Sequence, residues 1–359
     1  MTNWNGRMTP AASAAQGWSI GIFALAAFFW AGPAAAQSTC AAGSPQLIIY
    51  HAGSLTAAFS KVEKLFTQQT GVCVVDVSAG SVDLARRVTA GKEACDIYAS
   101  ADYKDIDVLL KPEGYAPYDI VFGQGEMVLA YTTASRNAAT IAAPGIVFNP
   151  PSSIPDAASD WTSQLTQPGV LVGGSHPFLD PSGYRADLIF QLAEDTTQVA
   201  NLYDKLLTHY ALTRSNDSLG KTYDYQLIYE HSAFAAYQAD TTNSYRYVRL
   251  PESVSLGNPE LNHRYRRAGV VVPGLRVPGS EATARIPATR VQWGLTILKN
   301  AANPDNAVRF LQLLFGADGV AAQSATGPAA ISPPIVTHAD LQNLPASLQA
   351  IVSEASQDR

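Results

Sequence analysis

The feature of the sequence that most constrains its fold is a regular alternation of strand-like and helix-like segments near the beginning of the chain. Apolar runs, as expected for strands covered on both faces, alternate with segments whose apolar residues recur at helical spacing. In order these are QLIIY (46–50), a helix over 55–68, CVVDVSA (73–79), a short helix opened by Ser81, and DIYASA (96–101). This order predicts a parallel sheet with right-handed crossovers, and therefore an α/β fold.

A serine lies at the end of each of these three predicted strands, at positions 54, 81 and 100. Ligands of open α/β sheets bind beyond the carboxyl ends of the strands, and parallel strands place those ends on one edge. Helix N-termini at that edge also offer unpaired N–H donors and partial positive charge. A single serine there is commonly only a helix cap. Three serines on one edge favour a binding site for a small polar or anionic ligand.

The first 36 residues are typical of a secretory signal rather than of a folded domain. A short apolar run over 17–32 is followed by small residues at Ala34 and Ala36. We therefore expect a signal peptide that is cleaved after Ala36 and export of the rest of the chain. A retained N-terminal anchor is the alternative.

Three cysteines, Cys40, Cys73 and Cys95, lie near the beginning of the exported chain. An oxidising compartment would allow one disulfide and one spare thiol. Cys40 lies shortly before the first predicted strand and Cys73 begins the second, and sequential strands are often neighbours. We expect a Cys40–Cys73 disulfide, with Cys95 as the alternative partner because it also begins a strand.

The composition argues against several classes of function. Arg7 is the one charged residue before position 37, which leaves 23 basic and 30 acidic residues and a net charge of −7 in the exported chain. Because no lysine- and arginine-rich run is present, we expect no nucleic-acid partner. The cysteines and histidines form no zinc motif, and neither a Gly-x-Ser-x-Gly nor an HExxH motif occurs, so we do not expect an enzyme. A secreted hydrolase that uses His51 and His176, which flank the expected site, is the weaker alternative.

Six segments of the chain resemble one known family. They are HAGSLTAAF, SAGSVDLARRVTAGKEACDIYASAD, DPSGYRADL, YEHSAFAAY, LPESVSLGNPE and GLTILKNAANPDNAVRFLQLL. In this order they resemble the periplasmic molybdate/tungstate-binding proteins of ABC importers, most closely the subgroup that binds these oxyanions in six-fold coordination. The resemblance covers most of residues 45–335.

The resemblance implies a type II periplasmic binding protein. Such a protein has two α/β lobes, each expected to be a mostly parallel sheet flanked by helices, with the ligand in the cleft between them. The first lobe would comprise 43–126 and 293–359, and the second 127–292. The protein would be a periplasmic monomer without a cofactor, and it would deliver its oxyanion to a membrane permease and the associated ATPase.

The resemblance also implies a set of ligand-binding residues. Ser54 and Ser81, with the backbone at junctions such as Gly53, would bind the oxygens of tungstate or molybdate. Asp180 of the Asp-Pro-x-Gly-Tyr-Arg motif and Glu230, which precedes a Ser-x-x-Ala stretch, would donate to the tungsten or molybdenum atom. Which of the two oxyanions is preferred stays open, because they are nearly the same size.

The two carboxylates have a physical meaning of their own. If the site held a free dianion such as sulfate, the electrostatic repulsion from the two carboxylates would cost on the order of several kcal/mol at a protein-like dielectric constant. They favour binding only where they donate directly to a high-valent metal, for which carboxylate oxygen is a hard ligand. Asp180 and Glu230 would therefore admit tungstate or molybdate and exclude sulfate.

Other interpretations of these residues stay open. Asp180 also has the position of a helix cap, and Glu230 the pattern of a solvated helix residue. A second interpretation keeps the fold and changes the ligand to ferric iron or another oxyanion. Ferric binders of this architecture use tyrosine clusters, for which Tyr184, Tyr225 and Tyr229 are available, although tyrosines in apolar segments commonly serve packing.

Overall fold

A computed structural model of the protein describes Cys40 and residues 45–214, 216–273 and 283–355. The predicted signal peptide over 1–36 lies outside the described residues. Within the described ranges, no helix combines the length and the apolar character that crossing a bilayer requires.

The described strands and helices follow one another in the alternating order that the sequence predicts for the first part of the chain. The strands are β1 (Gln46–Ala52), β2 (Cys73–Ala79), β3 (Ile97–Ser100), β4 (Ile120–Gly125), β5 (Met127–Thr132), β6 (Val172–Gly174), β7 (Tyr210–Leu212), β8 (Tyr225–Tyr229), β9 (Tyr245–Arg249), β10 (Gly269–Pro273), β11 (Thr283–Pro287), β12 (Val291–Ile297), β13 (Ala329–Val336) and β14 (Ser353–Glu354). The α-helices are α1 (Thr56–Thr70), α2 (Ser81–Thr89), α3 (Tyr103–Asp105), α4 (Trp161–Leu165), α5 (Pro181–Thr197), α6 (Leu202–His209), α7 (Glu230–Ala239), α8 (Glu252–Ser255), α9 (Asn262–Tyr265), α10 (Pro304–Phe315), α11 (Ala317–Thr326), α12 (His338–Leu341) and α13 (Ala346–Gln349).

Most of the described strands form two sheets. The first has the order β14-β13-β4-β12-β3-β1-β2, and the second has the order β7-β6-β8-β5-β9. β1 runs parallel to both β2 and β3, which confirms the predicted βαβαβ unit. β10 and β11 form a separate antiparallel pair.

The α/β class is as predicted, but the directions of the strands are mixed. β12 lies antiparallel to β3 and β4, and β5 lies antiparallel to β8 and β9. The expectation of mostly parallel sheets is therefore wrong in this detail. The chain leaves the first sheet along β4 and returns to it along the neighbouring β12, so the outgoing and incoming strands run in opposite directions. The lobe boundaries at 126 and 293 stay a prediction.

Helix α1 shows how the sequence sets the packing of the first sheet. Ala58, Phe59, Val62 and Phe66 lie on one stripe and are buried, and Gly71 ends the helix with a φ of 72° that favours glycine. Burying each of the larger side chains stabilises the fold by about 1.5–3 kcal/mol. This packing holds the start of α1 against the end of β1.

The cysteines pair as expected. Cys40 and Cys73 form a disulfide, and Cys95 is a free, buried thiol. Cys73 also donates its backbone N–H to the carbonyl of Pro45 at 2.9 Å. The first residue of β2, an edge strand of the first sheet, is therefore held by a covalent bond and by a hydrogen bond.

Candidate functional site

The site residues predicted from the resemblance lie where four chain segments turn from strand to helix. Gly53 and Ser54 lie in a short 3₁₀ turn between β1 and α1, and Ser81 is the first residue of α2. Asp180 is the N-cap of α5, and Glu230 is the first residue of α7. β1 and β2 are neighbours in the first sheet, and β6 and β8 are parallel neighbours in the second. The residues of the candidate site therefore follow the ends of two adjacent strands in each sheet.

The start of α2 touches the start of α5. A Cβ atom on Gly80 would lie 3.1 Å from the Cβ of Asp180 and well inside van der Waals contact with the carbonyl oxygen of Leu179. The N–H of Asp83 donates to that same oxygen at 3.1 Å. Only glycine allows the two backbones to approach so closely. Ser81 and Asp180 are therefore brought side by side from different sheets.

The start of α1 touches the start of α7. Nε2 of His231 lies 3.0 Å from the carbonyl oxygen of Ser54, and the indole N–H of Trp293 donates to the Ser54 hydroxyl at 2.9 Å. The Trp293 ring packs edge-on against Tyr229, with centroids 4.9 Å apart, and against His231 at 5.3 Å. Glu230 stands between these two residues in the chain. Ser54 and the backbone of Glu230 are therefore held together by an aromatic cluster.

Sequence reasoning missed both His231 and Trp293. His231 directly follows Glu230 in the YEHSA segment, so its position next to the site was available as a signal. Trp293 lies within a fully buried strand, β12, and nothing in its sequence context distinguishes it from a core residue. Burial lowers the pKa of His231 to about 4, so the imidazole is neutral near pH 7. Because a neutral Nε2 that faces a carbonyl oxygen must donate, His231 adds a hydrogen bond without adding charge.

Arg185 links the two halves of the site. Its guanidinium donates to the carbonyl oxygen of Ala101 at 2.7 Å and to the hydroxyl oxygen of Tyr229 at 2.8 Å. A second nitrogen lies 3.2 Å from a carboxylate oxygen of Asp102, and both side chains are almost fully buried. Arg185 belongs to the same α5 segment as Asp180, so it fixes that segment against the first sheet and against the end of β8.

A buried acidic pair continues this network into the first sheet. Tyr184 donates its hydroxyl to Asp102 at 2.9 Å and approaches Asp105 at 3.3 Å. Burial, together with the charge of Asp102, raises the pKa of Asp105 to about 8. Ser100, the third serine of the predicted edge, donates to Asp105 at 2.8 Å. Its hydroxyl is thus used inside the protein, and the sequence pattern was wrong in grouping it with the other two serines.

Ser54 and Ser81 keep a free donor. The Ser54 hydroxyl accepts from Trp293, and the fully buried Ser81 hydroxyl accepts from the N–H of Ala101 at 3.1 Å. Within the part of the chain that the structure describes, neither hydroxyl donates a hydrogen bond. A hydroxyl group can donate one hydrogen bond and accept two. Both hydroxyl hydrogens are therefore available to an acceptor such as an oxyanion.

The two predicted carboxylates have separate partners. Asp180 is half-buried, accepts from the N–H of Ser182 at 2.9 Å, and has its pKa raised by burial. Glu230 is one-third exposed, and a carboxylate oxygen lies 3.8 Å from Arg249. Glu230 faces an open cleft of about 460 Å³, whose lining includes Glu126. Among the described residues, no hydrogen bond or ion pair joins Asp180 to Glu230; the structure brings their helix starts together without direct contact between the carboxylates.

The tyrosines that a ferric site would need do not converge. Tyr184 donates to Asp102, Tyr229 accepts from Arg185, and Tyr225 donates to the carbonyl oxygen of Arg136. Each hydroxyl has a different partner, which is the arrangement expected of tyrosines that orient a core. The structure offers no support for the ferric alternative.

The two histidines that a hydrolase would use have other roles. His176 accepts from the N–H of Phe178 at 3.1 Å, within the loop before α5. His51 is completely buried and contacts residues of β1 and β2. Neither histidine is hydrogen-bonded to Ser54 or Ser81 in the described structure, so neither prepares a nucleophile there.

Comparisons with known proteins agree with the fold. The structure resembles that of the sulfate-binding protein SubI of Mycobacterium tuberculosis with a TM-score of 0.55 and 16% sequence identity, over 80% of this chain and 88% of that one. This likeness confirms the two-lobed type II architecture.

The sequence relatives are named as binding proteins. A solute-binding protein of Petrotoga mobilis is 31% identical over 87% of this chain and 92% of its own length. The molybdate/tungstate-binding protein WtpA of Pyrococcus abyssi is 26% identical over 86% of this chain and 90% of its own length. The family model of bacterial extracellular solute-binding proteins matches residues 47–327. The chain belongs to this family.

Proposed function

We propose that the protein captures tungstate or molybdate outside the cytoplasm and delivers it to the permease and ATPase of an ABC importer. The observation that carries this proposal is that each serine with a free hydroxyl hydrogen lies at a helix start that contacts the helix start of a predicted carboxylate, Ser81 beside Asp180 and Ser54 beside Glu230. Helix N-termini attract an anion. In a sulfate site the two carboxylates would only repel the ligand. The relative from Pyrococcus abyssi, named as a molybdate/tungstate-binding protein, supports the same ligand class.

The proposed division of labour follows from the chemistry of each group. Ser54 and Ser81 would donate to two oxygens of the oxyanion, each through the hydrogen that the protein leaves unused. Asp180 and Glu230 would complete the coordination of the metal atom, because carboxylate oxygen is a hard ligand for a high-valent metal. Asp180 would bind through the oxygen that does not cap α5, and Glu230 would turn away from Arg249.

Calorimetric titration of the protein with tungstate, molybdate and sulfate tests the proposal. We expect saturable binding of tungstate or molybdate and weak or absent binding of sulfate. Asp180→Ala and Glu230→Ala should each weaken tungstate binding, because a ligand to the metal is lost. Each should also strengthen sulfate binding, because a like charge has left the site.

Opposite effects on two ligands separate this proposal from a loss of folding, which would weaken both. Asp195→Ala is the matched control, since it removes a carboxylate from the other end of α5 where Asp195 pairs with Arg267 at the surface. The control should bind tungstate as the parent protein does. If both site variants bound tungstate normally and still excluded sulfate, metal coordination by the carboxylates would be ruled out.

A further inference from the structure

A second cluster of potential ligands lies beneath the first sheet, apart from the proposed oxyanion site. His51 of β1, Glu63 of α1 and Asp76 of β2 each offer a ligand atom, and the three atoms lie within 4.8 Å of one another. Residues 49 and 76 are register partners in the parallel pair β1–β2, so His51 and Asp76 come from adjacent strands that α1 covers. His51 is completely buried, whereas the side chain of Asp76 is 21% exposed.

The contacts of His51 determine which of its nitrogens carries hydrogen. Nδ1 lies 2.8 Å from the carbonyl oxygen of Ala52, which can only accept, so Nδ1 carries a hydrogen. In the neutral ring Nε2 then presents a lone pair, and it faces an Asp76 oxygen at 2.6 Å. Two lone pairs at that distance repel each other unless a positively charged species lies between them or beside them.

The Glu63 carboxylate places another buried oxygen without a partner next to this pair. Apart from the 2.6 Å approach between Nε2 of His51 and Asp76, the buried Nε2 and one buried oxygen each of Glu63 and Asp76 have no hydrogen-bond partner within the described ranges. Leaving a buried polar atom unpaired costs about 1–3 kcal/mol. One extra proton on His51 would satisfy the approach of Asp76 and leave the Glu63 oxygen without a partner. A dication would satisfy all three atoms and would balance the charge of two carboxylates.

We propose that His51, Glu63 and Asp76 form a binding site for a divalent transition-metal ion, with zinc as the representative. One imidazole nitrogen and two carboxylate oxygens suit zinc and its neighbours, whereas calcium and magnesium prefer oxygen alone. The Ala52 carbonyl holds the ring from its other nitrogen, as second partners of metal-bound histidines commonly do. The exposed side of Asp76 leaves room for water as a fourth ligand.

The site fits zinc after a small adjustment. With metal–ligand distances of about 2.0–2.2 Å and tetrahedral angles, two ligand atoms stand roughly 3.3 Å apart. The 2.6 Å between His51 and Asp76 would have to widen by about 0.7 Å, which rotation of the partly exposed Asp76 side chain allows. His51 lies three residues before Ser54, so a bound metal would also hold the end of β1 that leads into the oxyanion site.

The test uses the full chain, produced without a histidine tag and dialysed against EDTA, and titrated calorimetrically with zinc alone. We expect one equivalent to bind and the melting temperature to rise. Glu63→Gln and Asp76→Asn keep the side-chain shapes and remove one charged ligand each. Each should weaken zinc binding by roughly 100-fold or more, since changes to the partners of ligands alone cost 10–100-fold. Both variants should keep the circular dichroism spectrum of the parent protein, which verifies that they fold, and they should bind tungstate as the parent protein does.

A matched control comes from the surface histidine. His338→Asn removes an exposed imidazole that lies 3.1 Å from Glu354, and it should leave zinc binding unchanged. Absence of saturable zinc binding would show that the cluster holds only a proton and would overturn the proposal. Zinc binding that survives in Glu63→Gln and Asp76→Asn, or that is lost in His338→Asn, would also overturn it. Because tungstate is titrated separately, failure of one proposal leaves the other testable.

Discussion

The two serines of the candidate site occupy equivalent positions in neighbouring βα units, yet their surroundings differ. Ser54 is half-buried and is held by the aromatic rings of Trp293 and His231. Ser81 is completely buried, and its hydroxyl completes the hydrogen bonding of the equally buried Ala101. The Ser54 hydroxyl therefore lies between solvent and a buried tryptophan, whereas the Ser81 hydroxyl is part of a fully buried polar network.

This difference predicts which changes affect binding and which affect folding. When a side chain near solvent is removed, water can take its place, so the substitution mainly lowers the affinity for the ligand. When a side chain that is hydrogen-bonded to a buried group is removed, that group is left without a partner, so the substitution also lowers the free energy of unfolding. Variants at the Ser54 end should change affinity, and variants at the Ser81 end should change both affinity and stability.

Arg185→Met should have the largest effect. It leaves Asp102 as a buried charge without its cation, and breaking a buried ion pair costs about 3–5 kcal/mol of unfolding free energy. Denaturant unfolding followed by circular dichroism measures the loss. Arg267→Met, which breaks an exposed pair with Asp195, is the control and should cost less than about 1 kcal/mol. Equal losses in the two variants would show that the buried network does not stabilise the Ser81 end.

The two serine variants compare the ends directly. Ser81→Ala leaves the N–H of Ala101 unpaired and should lower the unfolding free energy by about 1–3 kcal/mol. Ser54→Ala should lower it less, by about 0.5–1.5 kcal/mol, because the half-buried Ser54 hydroxyl accepts one hydrogen bond, from the Trp293 indole. Each should weaken tungstate binding by about 0.5–1.5 kcal/mol, or roughly two- to tenfold. The distinction between the ends fails if Ser54→Ala destabilises the protein as much as Ser81→Ala.

The pH dependence of stability reports on the Ser81 end. The pKa of Asp105 is raised to about 8 in the folded protein, from 3.8. The folded state therefore keeps a proton that the unfolded chain releases, and stability falls as pH rises from about 4 to 8. Asp105→Asn should reduce this decline while Tyr184 and Arg185 stay in place, and it should raise the melting temperature at pH 8 by about a few degrees. Thermal scans at several pH values check this, and an unchanged slope would contradict it.

At the Ser54 end, we expect no pH effect from the histidine. Burial holds the pKa of His231 at about 4, so the ring stays neutral from pH 6 to pH 8. Tungstate affinity should therefore follow the same pH curve in the parent protein and in His231→Gln. Calorimetry across this range would reveal an error if the parent showed a titration near pH 6.5 that the variant lacked.

Several features could be predicted from the sequence because their signals are local. The βαβαβ unit follows from apolar runs and helical spacing within one segment of chain, and the capping of α5 follows from Asp180 and the adjacent Pro181. The Cys40–Cys73 disulfide follows from the adjacency of sequential strands. Each of these signals concerns residues that are close in the sequence or in consecutive elements.

Other features depend on contacts between distant residues. Trp293 and Ser54 are 239 positions apart, and Arg185 and Ala101 are 84 positions apart, so no local pattern reveals these bonds. Ser100 looked equivalent to Ser81 because both follow an apolar strand. The difference between them arises from Asp105, five residues after Ser100, whose carboxylate accepts the hydrogen bond of the Ser100 hydroxyl. The mixed strand directions likewise depend on where the chain returns from the second sheet.

The close approach at Gly80 has a mechanical consequence. The starts of α2 and α5 meet there backbone to backbone, with the residue 80 Cα facing the Leu179 carbonyl. A single methyl group at this position would push the starts of α2 and α5 apart. It would do so without removing any atom that the proposed ligand touches, since glycine contributes no side chain. The side chain at residue 80 would therefore set the spacing between these two helix starts without supplying a ligand contact of its own.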